Sequence, residues 1–100
     1  MGEMMEKMVV GYDNNNIREV INEIYDECIV FEPEYYDEAI IGVDVRDERV
    51  VYDYDKLIQI GIDHMKLSPI ESIEHVQVNM VSMSLGKHTP QIICPVNYEY

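Results

Sequence analysis

His64, His75, His88, Cys28 and Cys94 are the side chains whose types would suit metal ligation or thiol chemistry. From His64 through His75 and His88 to Cys94 the separations are 11, 13 and 6 residues. That matches no zinc pattern, in which paired ligands stand roughly two to five residues apart. There is no His-x-x-x-His and no Cys-x-x-Cys. The acids Asp44, Asp47 and Glu48 lack the spaced ligands and central glycine of a calcium loop and read as a solvated hairpin turn. Cys94 with His88, and Ser82 or Ser84, offer nucleophile types, but none lies in a Gly-x-Ser-x-Gly elbow or another positioned turn. Gly42, Gly61 and Gly86 stand alone, so no loop cradles phosphate. The spacing therefore predicts no catalytic residue, no metal ligand and no cofactor, with the two cysteines as small buried hydrophobes.

What does stand out is charge. Twenty acids against seven bases give the 100-residue chain a net charge of −13. From Glu19 to Asp55 thirteen acids face only Arg46 and Arg49, whereas from Lys56 to Tyr98 Asp63, Glu71 and Glu74 are matched by Lys56, Lys66 and Lys87. An anionic first half repels nucleic acid and anionic lipid and attracts basic surfaces. Direct nucleic-acid binding is thereby disfavoured. No apolar run is long enough for a membrane span. Met1 to Tyr12 carries Glu3 and Glu6 and lacks the apolar stretch of a signal peptide, so a cytoplasmic protein with reduced thiols is expected.

The elements that must position these charges follow from periodicity. Residues 1–15 have no clear period and read as an N-terminal arm. Residues 16–100 read as a single α+β domain. Ile17, Val20, Ile21, Ile24 and Cys28 recur at helical spacing behind an Asn16 cap, with Glu19 completing a capping box. Pro33 breaks the chain, and 34–38 reads as a polar, tyrosine-bearing turn. Ala39–Val45 and Arg49–Tyr54 are β-branched runs joined by Arg46-Asp47-Glu48, a hairpin. Asp55 is the expected cap of a second helix with the stripe Leu57, Ile58, Gly61, Ile62 and Met65. Gly61 within that stripe implies close approach of a neighbouring backbone. Ser68, Pro69 and Glu71 open a third helix, whose stripe is Ile70, Ile73, Val76, Met80 and Met83. From Val76 to Leu85 the pattern also alternates as a strand would, but the cap favours helix to about Val81. Gly86 is the expected stop, and Gln91 to Val96 a last strand. The expected architecture is a three-stranded sheet of hairpin plus C-terminal strand under two or three helices, in the order α-β-β-α-α-β. Ile41, Ile58, Ile62, Ile73 and Met80 are its expected common core.

The acids have a pattern of their own. Glu19, Glu23 and Glu27 at i, i+4 and i+8 would form one ridge, flanked by Asp26. Like charges so placed cost about 0.2–0.5 kcal/mol each, and acids at the end of a helix oppose its dipole. Solubility is one explanation; an anionic face for a basic partner is the other. Tyr35 and Tyr36, set among Glu34, Asp37 and Glu38, favour the second, since tyrosine is enriched at interfaces. The candidate partner-binding set is thus Glu19, Glu23, Asp26, Glu27, Glu34, Tyr35, Tyr36, Asp37, Glu38, Asp47 and Glu48.

The stretch Tyr52-Asp53-Tyr54-Asp55-Lys56 resembles a group of small proteins encoded by bacteriophages and prophages. In that group a hairpin ends in Tyr-Asp-x-Asp-Lys and a helix follows. A capped acidic helix then ends near an Asn, and Gly-x-x-Thr-Pro precedes a terminal strand. The matching positions are Tyr52, Asp53, Asp55 and Lys56, then Glu71, Glu74, Asn79, Gly86, Thr89 and Pro90, covering Ala39 to Cys94. Val78 replaces the aromatic residue that the group carries before the Asn. With no established activity in the group, the resemblance implies a context: an accessory protein acting in the cytoplasm of a bacterial host cell.

Taken together, these readings predict a non-enzymatic, acidic protein-protein interaction module that binds a basic host or defence protein and inhibits it. Its sharpest form is charge mimicry of nucleic acid, by analogy of charge with anti-restriction and some anti-CRISPR (anti-defence) proteins. A homo-oligomeric assembly protein using Ile60, Val78 and the Met-rich start is the alternative, and an enzyme of unrecognised type a third.

Overall fold

The structure, a computed structural model, describes residues 17–96. The expected arm at 1–15 and the Asn16 cap lie outside the described residues. Helix α1 runs Ile17–Ile24 and stops a turn earlier than its apolar spacing suggests. Asp26 and Glu27 would oppose the dipole at its end, and Ile29-Val30 is a β-branched pair of lower helix propensity. The chain instead turns at Tyr25, whose carbonyl accepts from the Cys28 N–H.

A segment without regular secondary structure then leads through Phe31 to a 3-10 helix at Glu34–Ala39, the expected tyrosine-bearing turn. Strands β1 (Ile40–Asp44) and β2 (Arg49–Asp53) form the expected antiparallel hairpin. Its register slips between Ile40 and Gly42. Ile41 is the extra residue of that bulge, which points it outward and leaves it 53% exposed rather than in the core. Strand β3 (Gln91–Ile93) pairs parallel to β2, giving the order β1-β2-β3. Parallel pairing needs a crossover, and helices α2 (Tyr54–Met65) and α3 (Pro69–Val76) supply it. The fold is α+β, with β2 central and its Val50 and Tyr52 fully buried.

The cap of α2 is Asp53, whose carboxylate accepts from the Lys56 N–H at 3.2 Å, and not Asp55. Strand β2 runs directly into the helix, so the last strand residue is also the last non-helical one. The capping box of α3 is formed as expected: Ser68 Oγ accepts from the Glu71 N–H, and the Glu71 carboxylate accepts from the Ser68 N–H. A single π-helical stretch, Gln77–Val81, continues α3. Its last residue is Val81, the expected end of the helix, but the residue that closes it is Ser82 and not Gly86. Gly86, with φ +103°, sits in a separate turn that Thr89 closes by accepting from the Leu85 N–H and donating to the Gly86 carbonyl.

The core consists of Ile21, Phe31, Tyr36, Ala39, Val50, Tyr52, Leu57, Ile60, Val76 and Met80. Of the expected core residues Met80 belongs to it and Ile58 packs against it. Ile62 is half-buried and Ile73 is 41% exposed. The cause is the α2–α3 contact. A Cβ at Gly61 would overlap Ser72 Oγ, and that hydroxyl donates to the Ile58 carbonyl at 2.6 Å. Seating the small Ser72 inward rotates α3 so that Ser72, Val76 and Met80 face the core, and Ile70 and Ile73 turn out. Gly61→Ala is therefore expected to lower stability by about 1–2 kcal/mol despite its better helix propensity. Gly61→Ala/Ser72→Ala should recover most of that loss in urea unfolding, because the overlapped atom is gone.

Candidate functional site

Arg18, in the first turn of α1, organises the acidic half from within. Its guanidinium donates from Nε and Nη2 to the two oxygens of Asp37 at 2.9 and 2.8 Å. Nη2 also donates to the Phe31 carbonyl, and Nη1 to Glu32. This fork geometry suits a carboxylate and is unavailable to lysine. Hydrogen bonding to Asp37 pushes the guanidinium further above its already high value, with burial opposing. Arg18 is the only base between Lys7 and Arg46, a signal that could have singled it out in the sequence.

With Arg18 committed to Asp37 and Glu32, the neighbouring acids keep their charge uncompensated. A groove of about 450 Å³ is lined by Arg18, Glu19, Pro33, Glu34, Tyr35, Asp37 and Glu38. Glu19, Glu34 and Glu38 are exposed and make no ion pair among the described residues. Tyr35 is half-buried and stacks on His64, with ring centroids 4.5 Å apart and planes 13° apart. It also meets Tyr36 in a T-shaped contact, with ring centroids 4.9 Å apart.

The predicted acidic ridge is not continuous. Glu19 and Glu23 lie exposed on α1, but Asp26 and Glu27 fall beyond its end. Glu27 turns to His88, 3.0 Å from its Nε2. Tyr36 and Asp37 are buried, Asp37 to 6% exposure, so neither offers a surface to a partner. In a 3-10 helix adjacent side chains lie about 120° apart, so Tyr36 faces the core while Tyr35 packs at its margin. Burial pushes the Tyr36 phenol up. Asp37 is held inside because Arg18 matches it. Asp47 and Glu48 stand in the hairpin turn and do not line the groove; Glu48 lies close to Glu27.

His88 is presented to that turn by the Gly86–Pro90 loop. Its Nδ1 lies 2.9 Å from the Asp47 carbonyl and 3.1 Å from that of Glu48. Arg49 Nε donates to the Thr89 carbonyl, fixing the loop against β2. The Glu48 carbonyl also accepts from Cys28 Sγ at 3.0 Å, and Glu48 itself has φ 55°. Cys28 is half-buried, which raises its thiol above the ordinary value, while Cys94 is exposed rather than buried.

No helix among the described residues is long and apolar enough to cross a membrane. Comparison of the chain with protein-family models, with curated proteins and with solved structures finds no match in any of the three.

Proposed function

We propose that this chain is a non-enzymatic accessory protein of the phage type that binds a basic surface on a host or defence protein and thereby inhibits it. The observation that carries the reading is the groove beside α1. Three exposed carboxylates, Glu19, Glu34 and Glu38, surround it, while the one cation in it has its donors occupied internally. An arginine or lysine entering there meets three negative charges and the ring of Tyr35, held in place by His64. Charge of this kind acts chiefly on the association rate and on partner choice. A nucleic-acid-binding face on the partner fits best, since its basic groups are unpaired when no nucleic acid is bound. Glu23 and Asp26 extend the same sign of field without lining the groove.

The test is a pull-down from bacterial lysate eluted with a salt gradient, followed by association kinetics with the captured partner. Glu19→Gln/Glu34→Gln/Glu38→Gln should associate roughly tenfold more slowly at low ionic strength and show a flatter salt dependence. Equal rates for wild type and variant, with no salt dependence, would sink the reading.

Self-assembly has one observation in its favour. Ile70, Val78, Val81 and Leu85 are exposed large hydrophobes in the near-neutral half of the chain. Ile60, expected there, is buried in the core instead. In the same preparations, a multimer by light scattering that is indifferent to salt would favour this second reading.

A further inference from the structure

Glu27, Glu48 and His88 come from three separate segments: the turn after α1, the hairpin turn and the loop before β3. One ligand-type atom from each lies within 4.8 Å of the other two. A search for local ligand spacing does not see such a group, because its members are distant in sequence.

The hydrogen bonds define the histidine's chemistry. Carbonyl oxygens only accept, so Nδ1, facing those of Asp47 and Glu48, carries a hydrogen and donates it. In a neutral ring Nε2 then presents a lone pair. It stands 3.0 Å from Glu27 Oε1, another lone-pair atom. Two acceptors at that separation repel unless positive charge lies between them. A proton on Nε2 supplies one unit. The Glu48 carboxylate at the same point is a second anion, and a doubly charged ion balances both.

We propose that Glu27, Glu48 and His88 form a binding site for a first-row divalent cation, zinc being the expected one, through one oxygen of each carboxylate and His88 Nε2. Two features support this beyond the residue types. Ligating histidines characteristically donate their other ring N–H to a carbonyl or carboxylate, which fixes the ring and its tautomer. Two neighbouring ligands each about 2.1 Å from a tetrahedral ion stand about 3.4 Å apart, so the 3.0 Å between Nε2 and Oε1 has only to open by a few tenths of an ångström, which the exposed Glu27 side chain allows. An imidazole with two carboxylates suits zinc better than magnesium or calcium. With three protein ligands, at least one position stays open to water, and the ion would tie the end of α1 to the hairpin and the Gly86–Pro90 loop.

The experiment titrates zinc chloride into protein stripped with a chelator, by calorimetry and by thermal unfolding. Cys94→Ser serves as the background, so that an exposed thiol does not contribute. One zinc per chain is expected, with a midpoint raised by about 10 °C at a hundredfold excess over Kd and lowered again by chelator. Glu27→Gln keeps the fold, its carboxylate side chain being 68% exposed, and should weaken binding at least tenfold; His88→Gln should abolish it. Absence of saturable zinc binding, or binding unchanged in Glu27→Gln, overturns the site and leaves a proton between His88 and Glu27.

Discussion

Arg18→Ala is expected to destabilise the protein by about 3–5 kcal/mol, the range for removing one member of a buried ion pair. The loss is large because of what remains. Asp37 is buried and would keep a charge facing protein with no cation, and the Phe31 carbonyl would lose its donor. Arg18→Lys restores the charge but not the two parallel bonds to Asp37, so an intermediate loss follows. Arg18→Met/Asp37→Leu removes both charges and should cost far less than Arg18→Ala, since apolar replacement of a buried pair is often near neutral. Glu32 is a different case. Its carboxylate is exposed, and Glu32→Gln should change stability by less than about 1 kcal/mol. Urea unfolding of the five proteins checks the order. If Arg18→Ala and Glu32→Gln lose equally little, the guanidinium does not anchor α1.

What the sequence makes legible is what local rules govern. The Ser68–Pro69–Glu71 start and the hairpin around Arg46–Glu48 each depend on residues within a few positions of one another, and each is formed; at Gly61 the close approach comes from the side chain of Ser72 and not, as expected, from a neighbouring backbone. The cap of α2 at Asp53, two residues early where strand runs into helix, and the end of α1, a turn early, are shifts at element boundaries. The rotation of α3 is of another kind. Ile70 and Ile73 carry the stronger apolar signal, but the hydroxyl of Ser72 finds the Ile58 carbonyl across Gly61, a partner that only the fold supplies. The same holds for charge. As a run of acids, Glu19 to Glu38 reads as one face; Arg18 withdraws Asp37 into the interior, and His88 draws Glu27 to the hairpin. The parallel pairing of β3 was not readable either, since three residues carry little pattern.

Tyr52 gives the second large effect, and it is visible in pH. The side chain is fully buried in β2, its ring 4.6 Å from that of Phe31 and its hydroxyl accepting from the Phe31 N–H at 2.9 Å. Phe31 lies outside helix and sheet, so side chains satisfy its backbone: Tyr52 takes the N–H, Arg18 the carbonyl. Tyr52→Ala should cost about 3–5 kcal/mol as a core truncation. Tyr52→Phe keeps the packing and strands the N–H, for about 1–3 kcal/mol. Burial pushes the phenol well above its ordinary value, while the Phe31 hydrogen bond opposes. An unfolded chain ionises at about 10, where the folded protein still holds the proton. The stabilisation tied to that proton is fully present below pH 10 and declines as pH rises through the window up to the folded value, by up to about 1.4 kcal/mol per pH unit. Tyr36, also raised by burial, adds to the same alkaline loss, so the comparison must be differential. Unfolding free energies for wild type and Tyr52→Phe, measured from pH 8 to 11, should converge above pH 10 as wild type alone loses this contribution. Parallel curves would mean that the Tyr52 hydroxyl titrates normally and is not held in the core by Phe31.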